Sequence, residues 1–314
     1  MVDLRKLGSS DLEVFPLALG GNVFGWSADE AQSVAVLDAY AAAGGNFIDT
    51  ADMYSAWVPG NQGGESEAII GNWLSARGNR DSMIIATKVG AHPTYKGLAA
   101  TTIKGGVEES LRRLRTDYID LYYTHYDDPT LPVEEIITTL DQLVKEGKVR
   151  AIAASNISPE RLEASLAFSD SQNLARYVAL QPHYNLVSRD TYEGDLETTA
   201  ARHGLAVVPY YSLASGFLTG KYRPGAAVNS VRAQGASEYL KSERGQKVLA
   251  ALDEIATARG AEMATVALAW LLAQPTVVAP IASARTVEQL PALLAVADLA
   301  LTEAEVSALT AASA

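Results

Sequence analysis

Met83-Ile84-Ile85-Ala86-Thr87-Lys88 is a short apolar run closed by a charge. A run of this length, rich in β-branched and aliphatic side chains, predicts a buried β-strand. Asn46-Phe47-Ile48-Asp49 and Tyr118-Ile119-Asp120-Leu121-Tyr122-Tyr123-Thr124-His125 read the same way. Each run ends on a side chain that carries chemistry: Asp49, Lys88 and His125. Tyr54 follows shortly after the first of them. Between the runs lie helical patterns, Glu65 to Ala76 and Thr101 to Arg115. Strands that alternate with helices imply βαβ units and parallel pairing. In a closed sheet of that kind the strand C-termini share one face, and catalytic groups collect there. Four reactive groups from three successive strand ends can therefore meet.

The alternation continues outward in both directions. Leu4 to Leu7 and Leu12 to Phe15 flank the turn formers Gly8-Ser9-Ser10-Asp11, which predicts an entry hairpin. Leu17-Ala18-Leu19 is a strand that runs into Gly20-Gly21, and Ala28 to Ala43 is helical. Beyond His125 come helix Val133 to Glu146, strand Val149 to Ala154, helix Pro159 to Phe168, strand Tyr177 to Leu180, helix Thr191 to Arg202 and strand Leu205 to Val208. A long loop is expected from Tyr210 to about Ser242, with Arg223 to Lys241 its best candidate for a mobile part. Helices Glu243 to Arg259 and Ala264 to Ala273 follow, then a last strand, Val277 to Ala279, and helices near Val287 to Ala295 and Thr302 to Ala312. Eight strands, each followed by a helix, close more naturally as a barrel than as an open sheet. The expected fold is α/β, a (β/α)8 TIM barrel with an N-terminal β-hairpin and extra C-terminal helices, in one domain over residues 1–314. An open doubly wound sheet would advertise Gly-x-Gly-x-x-Gly after its first strand. Gly20-Gly21-Asn22-Val23-Phe24-Gly25 lacks that spacing.

Bulk properties narrow the function. The 314 residues are 48% hydrophobic and 20% charged, ordinary for a globular chain with a large core. A net charge of −12 argues against nucleic acid or an anionic membrane surface as partner. Without cysteine there is no disulfide frame, thiolate nucleophile or cysteine-ligated metal, and four histidines without close ligand spacing make a metal site unexpected. No apolar run reaches the roughly 18 residues of a membrane helix, and the start has no signal-like apolar region. A cytoplasmic enzyme is the expectation.

The chemistry of the four groups is that of proton transfer. A free tyrosine has a pKa of about 10, too high for easy transfer near neutrality. A neighbouring ammonium favours the phenolate, so Lys88 is expected to make Tyr54 more acidic, with Asp49 holding Lys88 by an ion pair. His125 can hydrogen-bond a substrate oxygen. Tyr54 is then the general acid of carbonyl reduction and the general base in reverse. The competing reading is a structural Asp49–Lys88 salt bridge beside a packed tyrosine. A hydride has to come from a cofactor, because no side chain carries one.

Phe47-Ile48-Asp49-Thr50-Ala51-Asp52-Met53-Tyr54 resembles the Asp-Thr-Ala-x-x-Tyr signature of the aldo-keto reductases. Gly64-Glu65-Ser66-Glu67-Ala68-Ile69-Ile70-Gly71 is similar to that family's Gly-x-x-Glu-x-x-x-Gly helix start, and Lys88 and His125 stand where its other two catalytic residues stand. The resemblance implies that Ser155, Asn156 and Gln181 bind the nicotinamide carboxamide and that Tyr210 stacks on its ring. A helix-capping role for Ser155 and Asn156 is the alternative. Leu213-Ala214-Ser215-Gly216-Phe217-Leu218-Thr219-Gly220-Lys221-Tyr222 looks like the pyrophosphate loop, with Leu213, Ser215, Gly216 and Lys221 as contacts. Tyr211-Ser212 stands where the family pattern has Ser-Pro, and Tyr211 is a further candidate contact through its hydroxyl. Ile281 to Leu290 resembles an adenosine 2′-phosphate site, with Ser283, Arg285 and Gln289 its polar groups. That motif implies NADPH ahead of NADH. Pro291-Ala292-Leu293-Leu294 replaces the usual adenine-contacting Glu and Asn.

Phe24, Trp26, Trp57, Val58, His92, Tyr95 and Tyr126 are the candidates for a substrate wall, suited to a carbonyl compound with an apolar or sugar-ring body. The leading expectation is an NADP(H)-dependent oxidoreductase that reduces aldehydes or ketones. An NAD(P)-dependent aldose or alcohol dehydrogenase is the same site run backwards. A nucleotide-sensing binding subunit is a further alternative, disfavoured because neither end shows a partner-binding extension. A barrel lyase or hydrolase would leave Gln181, Tyr210 and Arg285 without a role. Natural substrate and oligomeric state are not legible.

Overall fold

The computed structural model describes residues 3–222 and 233–314. Strands β1 (Arg5–Lys6) and β2 (Glu13–Val14) form the expected antiparallel hairpin, with Arg5 opposite Val14 and Lys6 opposite Glu13. Eight parallel strands follow: β3 (Ala18–Gly20), β4 (Phe47–Asp49), β5 (Ile84–Val89), β6 (Ile119–Thr124), β7 (Val149–Ser155), β8 (Tyr177–Gln181), β9 (Ala206–Val207) and β10 (Ile281–Ala282). They pair in chain order, and β10 returns to pair with β3. The sheet closes through residues just before β10. The Val278 amide donates to the Val207 carbonyl at 3.0 Å, and the Ile281 amide donates to the Pro209 carbonyl at 2.9 Å. The expected (β/α)8 barrel is thus observed.

Helices α1 (Glu30–Ala42), α2 (Glu65–Arg77), α3 (Ala100–Leu114), α4 (Val133–Lys145), α5 (Pro159–Gln172) and α6 (Asp195–Arg202) connect the strands through β9. α7 (Ala233–Lys241), α8 (Glu243–Arg259) and α9 (Met263–Leu272) precede β10. α10 (Leu290–Leu294) and α11 (Glu303–Ala312) complete the chain. Their ends follow local chemistry. Asp29 accepts from the Gln32 amide and Gln32 reciprocates, and Thr302 and Glu305 form the same capping box. Ser158 caps α5 ahead of Pro159 at its first position. α9 is buried on every side, which explains its apolar sequence. No single helix among the described residues is long and apolar enough to cross a membrane.

Three sequence expectations need correction. The last strand lies at Ile281–Ala282, not Val277 to Ala279; Val277 makes only an isolated bridge to Val207. Pro280 interrupts the run, because proline cannot donate to the ladder. The long loop is partly helical: Ala214–Thr219 is a 3-10 segment and Ala233–Lys241 is α7. Residues 223–232 of the expected mobile stretch lie outside the described residues. The helix expected from Thr191 begins only at Asp195.

Two apolar layers hold the barrel. One fills the space between sheet and helices and includes Trp73, Val107, Leu140, Leu166 and Trp270. The other joins Leu7, Leu12 and Val14 of the hairpin to Phe47, Ile84, Leu121, Ala151, Ala179 and Ala206. The hairpin therefore stoppers the strand N-termini, which leaves the C-terminal end as the open one. α2 meets α3 closely at Gly71, where an added Cβ would stand 2.1 Å from the Arg113 carbonyl oxygen and 2.7 Å from the Leu114 backbone. Backbone cannot swing aside as a side chain can. Gly71→Ala is expected to cost about 1–3 kcal/mol, read as a lowered urea midpoint with an unchanged slope.

Candidate active site

The barrel rule brings the four predicted groups together. Asp49 ends β4, Lys88 lies near the end of β5, His125 follows β6, and Tyr54 sits in the loop after β4. Lys88 is 0% exposed and Asp49 2% exposed. Lys88 Nζ donates to Asp49 Oδ2 at 2.7 Å, to the Thr50 carbonyl at 2.7 Å and to Tyr54 Oη at 3.0 Å. Three acceptors match the three N–H bonds of an ammonium. The second Asp49 oxygen accepts from Gln181 Nε2 at 2.9 Å. Carboxylate and ammonium are thus both saturated, as a buried pair requires.

Electrostatics follow from burial. Burial lowers the pKa of Lys88, and Asp49 opposes that shift. The ammonium fits this shell, donating three bonds with the Asp49 carboxylate beside it favouring the charge. Burial pushes the Tyr54 phenol well above its ordinary value, and the charge of Asp49 adds in the same direction. This corrects the expectation of a phenol made acidic by Lys88. Desolvation and a carboxylate outweigh the cation, so Tyr54 rests protonated. Burial, and then the charge of Lys88, lower His125 well below its ordinary value. Its imidazole is neutral near pH 7, and its buried Nδ1 has no partner. The Tyr54 and His125 rings meet edge to face at 6.1 Å, and Tyr126 stacks on His125 at 4.9 Å.

Above this floor opens a cavity of about 720 Å³, within the range of small-molecule sites. Asp49, Tyr54 and His125 line it, while Lys88 lies beneath them. All twelve residues expected to bind a cofactor line it too: Ser155, Asn156, Gln181, Tyr210, Tyr211, Leu213, Ser215, Gly216, Lys221, Ser283, Arg285 and Gln289. Ser155 and Asn156 are not helix caps; Ser158 caps α5. Instead Ser155 Oγ donates to the Gln181 carbonyl at 2.8 Å. Asn156 Nδ2 donates to the His125 carbonyl at 2.8 Å, and Tyr210 Oη donates to Asn156 Oδ1 at 2.8 Å. These contacts lock the amide and hydroxyl groups at one end of the cavity. Asn156 holds a left-handed backbone, φ 48°, the kind of strain that gathers at functional sites.

The other reaches of the cavity carry cations. Tyr211, Ala214, Ser215 and Gly216 all have positive φ, so the loop turns back sharply on itself. The Lys221 ammonium lies against Gly216, 3.3 Å from where a Cβ would stand. Arg285 makes no ion pair among the described residues, and its amide donates to Gln289 Oε1 at 2.9 Å. Ser283 Oγ donates to Asn22 Oδ1 at 2.7 Å.

Of the expected substrate wall, Trp26, Trp57 and Tyr126 line the cavity. Trp26 and Trp57 pack edge to face at 5.4 Å. Phe24 does not line it: it is fully buried, and its carbonyl accepts from Ser55 Oγ at 2.8 Å. Gly25, φ 73°, turns the chain so that Phe24 points into the core. Val58, His92 and Tyr95 also stand outside the lining. Asn22 and Glu262 line the cavity without having been foreseen. Asn22 follows a strand end, the signal that found the others. Glu262 precedes α9, and nothing in its local sequence marks it.

Comparison with known proteins agrees with this geometry. The Aldo/keto reductase family pattern matches residues 16–314. The chain is 34% identical over 314 residues to "Protein tas" of Escherichia coli K12, covering 91% of this chain and 90% of that protein. It is 32% identical over 320 residues to "Norsolorinic acid reductase B" of Aspergillus parasiticus, covering 96% and 81%. It is also 32% identical over 320 residues to "Aryl-alcohol dehydrogenase [NADP(+)]" of Phanerodontia chrysosporium, covering 92% and 80%. The chain belongs to the aldo-keto reductase family of oxidoreductases.

Proposed function

We propose that this protein is an NADPH-dependent carbonyl reductase that converts aldehydes or ketones to alcohols, with Tyr54 as general acid. The observation that carries the reading is the 3.0 Å bond from Lys88 Nζ to Tyr54 Oη at the floor of the cavity. Because the phenol oxygen accepts from Lys88, the phenol keeps its own proton to give. A substrate carbonyl oxygen in the cavity can receive it. As the proton leaves, negative charge grows on Tyr54 Oη beside a fixed cation, and no reorganisation is needed at that moment. Asp49 and the Thr50 carbonyl keep that cation in place. Neutral His125 can bind the carbonyl oxygen without competing as an acid. Trp57 and Tyr126 wall the cavity beside the reacting carbon.

The lining fits a nicotinamide dinucleotide. Amide and hydroxyl groups of Ser155, Asn156 and Gln181 suit a carboxamide, and the Tyr210 ring suits a stacked heterocycle. Lys221 at the tight loop suits a pyrophosphate. Ser283, Arg285 and Gln289 suit a 2′-phosphate. When bound, the reduced cofactor supplies the hydride. Oxidation of an alcohol by NADP+ is the second reading, favoured by the similarity to a fungal aryl-alcohol dehydrogenase; Tyr54 would then accept the proton.

A fluorescence titration with NADPH and NADH, followed by a carbonyl panel read at the nicotinamide absorbance, tests the proposal. Binding of neither nucleotide would overturn it. Arg285→Ala is expected to raise KM for NADPH about tenfold or more, the scale of one charged hydrogen bond, and to leave KM for NADH within about twofold. Equal effects on both would remove Arg285 from a 2′-phosphate contact.

A further inference from the structure

Behind the sheet from Lys88 lies a second buried polar cluster that the reaction above does not use. Glu67 of α2 is fully buried, as is Thr87 of β5. Thr87 Oγ1 donates to Glu67 Oε1 at 2.5 Å, and Arg113 Nε of α3 donates to Glu67 Oε2 at 2.6 Å. Asp52 is also fully buried, and its amide donates to the Lys88 carbonyl at 3.1 Å. The Asp52 carboxyl has no side-chain hydrogen-bond partner, with only the Gly90 and Met53 amides close to it, and the Tyr122 hydroxyl has no partner. A buried acid without a side-chain donor is expensive to ionise. Burial and the Glu67 charge hold the Asp52 carboxyl well above its ordinary value. Two acids therefore face one guanidinium in a dry layer between sheet and helices.

Successive strand residues point to opposite faces. Thr87 and Lys88 are adjacent, so the Thr87 hydroxyl anchors the backbone of the residue that carries the ammonium. We infer that Glu67 is a positioning residue for Lys88: it grips Thr87 from the helix layer and neutralises Arg113 behind the strand. The inference rests on the proposed role of Lys88. Glu67 acts at the far side of the sheet, so it is not a catalytic residue. Asp52 and Glu67 both favour the charged form of Lys88. The other groups facing Lys88 are Asp49 on β4, Tyr54 in the loop after it, and Tyr123 and His125 from β6.

The test uses the whole enzyme with NADPH and a working aldehyde. Thr87→Val removes the hydroxyl and keeps the shape. It is expected to lower kcat about tenfold, since small misplacements of a catalytic group are costly, while the NADPH Kd stays unchanged. Thr87→Ser restores the hydroxyl and is expected to recover kcat to within about twofold. A folded Thr87→Val enzyme with wild-type kcat overturns the inference, and so does a Thr87→Ser enzyme as slow as Thr87→Val. The charge is read separately, in the double variant Asp52→Asn with Glu67→Gln, so that neither acid can replace the other. Less negative charge lowers the pKa of Lys88, so the alkaline limb of kcat is expected to move down by roughly one pH unit. A folded double variant with an unmoved limb overturns the charge role; should it not fold, the two Thr87 variants decide alone. A wild-type enzyme inactive with NADPH sinks the proposed function itself, whereas an active wild type beside a Thr87→Val enzyme of equal kcat sinks only the positioning role.

Discussion

Tyr54→Phe is expected to keep its fold and its hold on NADPH and to lose carbonyl reduction by about 10²–10⁴-fold, the range of a positioned general acid. The ring contacts of Tyr54 do not depend on the hydroxyl: it meets Trp57 at 6.2 Å and His125 at 6.1 Å. Lys88 loses one acceptor but retains Asp49 and the Thr50 carbonyl. The ammonium is therefore not orphaned, and the thermal transition hardly moves. Single-turnover reduction with preformed enzyme and NADPH isolates the step. A phenylalanine enzyme with near-normal turnover would take the phenol out of the chemistry.

Lys88→Met is expected to be worse, because it damages both rate and stability. Its removal leaves Asp49, 2% exposed, with neutral partners such as Gln181 but without its cation. An uncompensated buried charge costs about 3–5 kcal/mol, read as a lowered denaturation midpoint. The rate should fall by roughly 10²-fold or more, as on loss of a preorganised charge stabiliser. The pH profile changes with it. Burial lowers the pKa of Lys88, so the wild-type rate falls on the alkaline side as pH rises through that lowered value. The methionine enzyme has no ammonium to lose, and its residual rate is expected to lack that limb. A variant with wild-type stability would show that the Asp49–Lys88 pair is not a structural element of the floor.

The barrel was legible because each unit repeats the same pattern. Met83 to Lys88 reads as a strand with or without its neighbours, and the rule that strand C-termini share a face then gathers Asp49, Lys88 and His125. The proposed cofactor side was readable only through resemblance, since Gly216 or Ser283 alone would pass for an ordinary turn or loop residue. What stayed hidden depends on three dimensions. The direction of the Tyr54 shift is set by desolvation and by the carboxylate across the site, and neither shows in a linear motif. Phe24 looked like a wall residue until the Gly25 turn took it inside. Glu67 and Arg113 are separated along the chain, and only the packing of α2 on α3 makes them a pair. The last strand was misplaced because Val277 and Val278 look more strand-like than Ile281 and Ala282, whereas the register is decided across Pro280.

The seam of the barrel is narrow. β9 and β10 are two residues long, and the sheet is completed there by a few single amide bonds around Val207, Val278 and Ile281. Ser283 and Arg285 stand immediately past that seam, while Ser155 and Gln181 end strands formed earlier in the chain and Asn156 follows the first of them. On the proposed function, a dinucleotide held by both groups would act as a clasp across the join. Part of its affinity would then become resistance of the cylinder to springing open, tying cofactor supply and durability of the protein to the same few bonds.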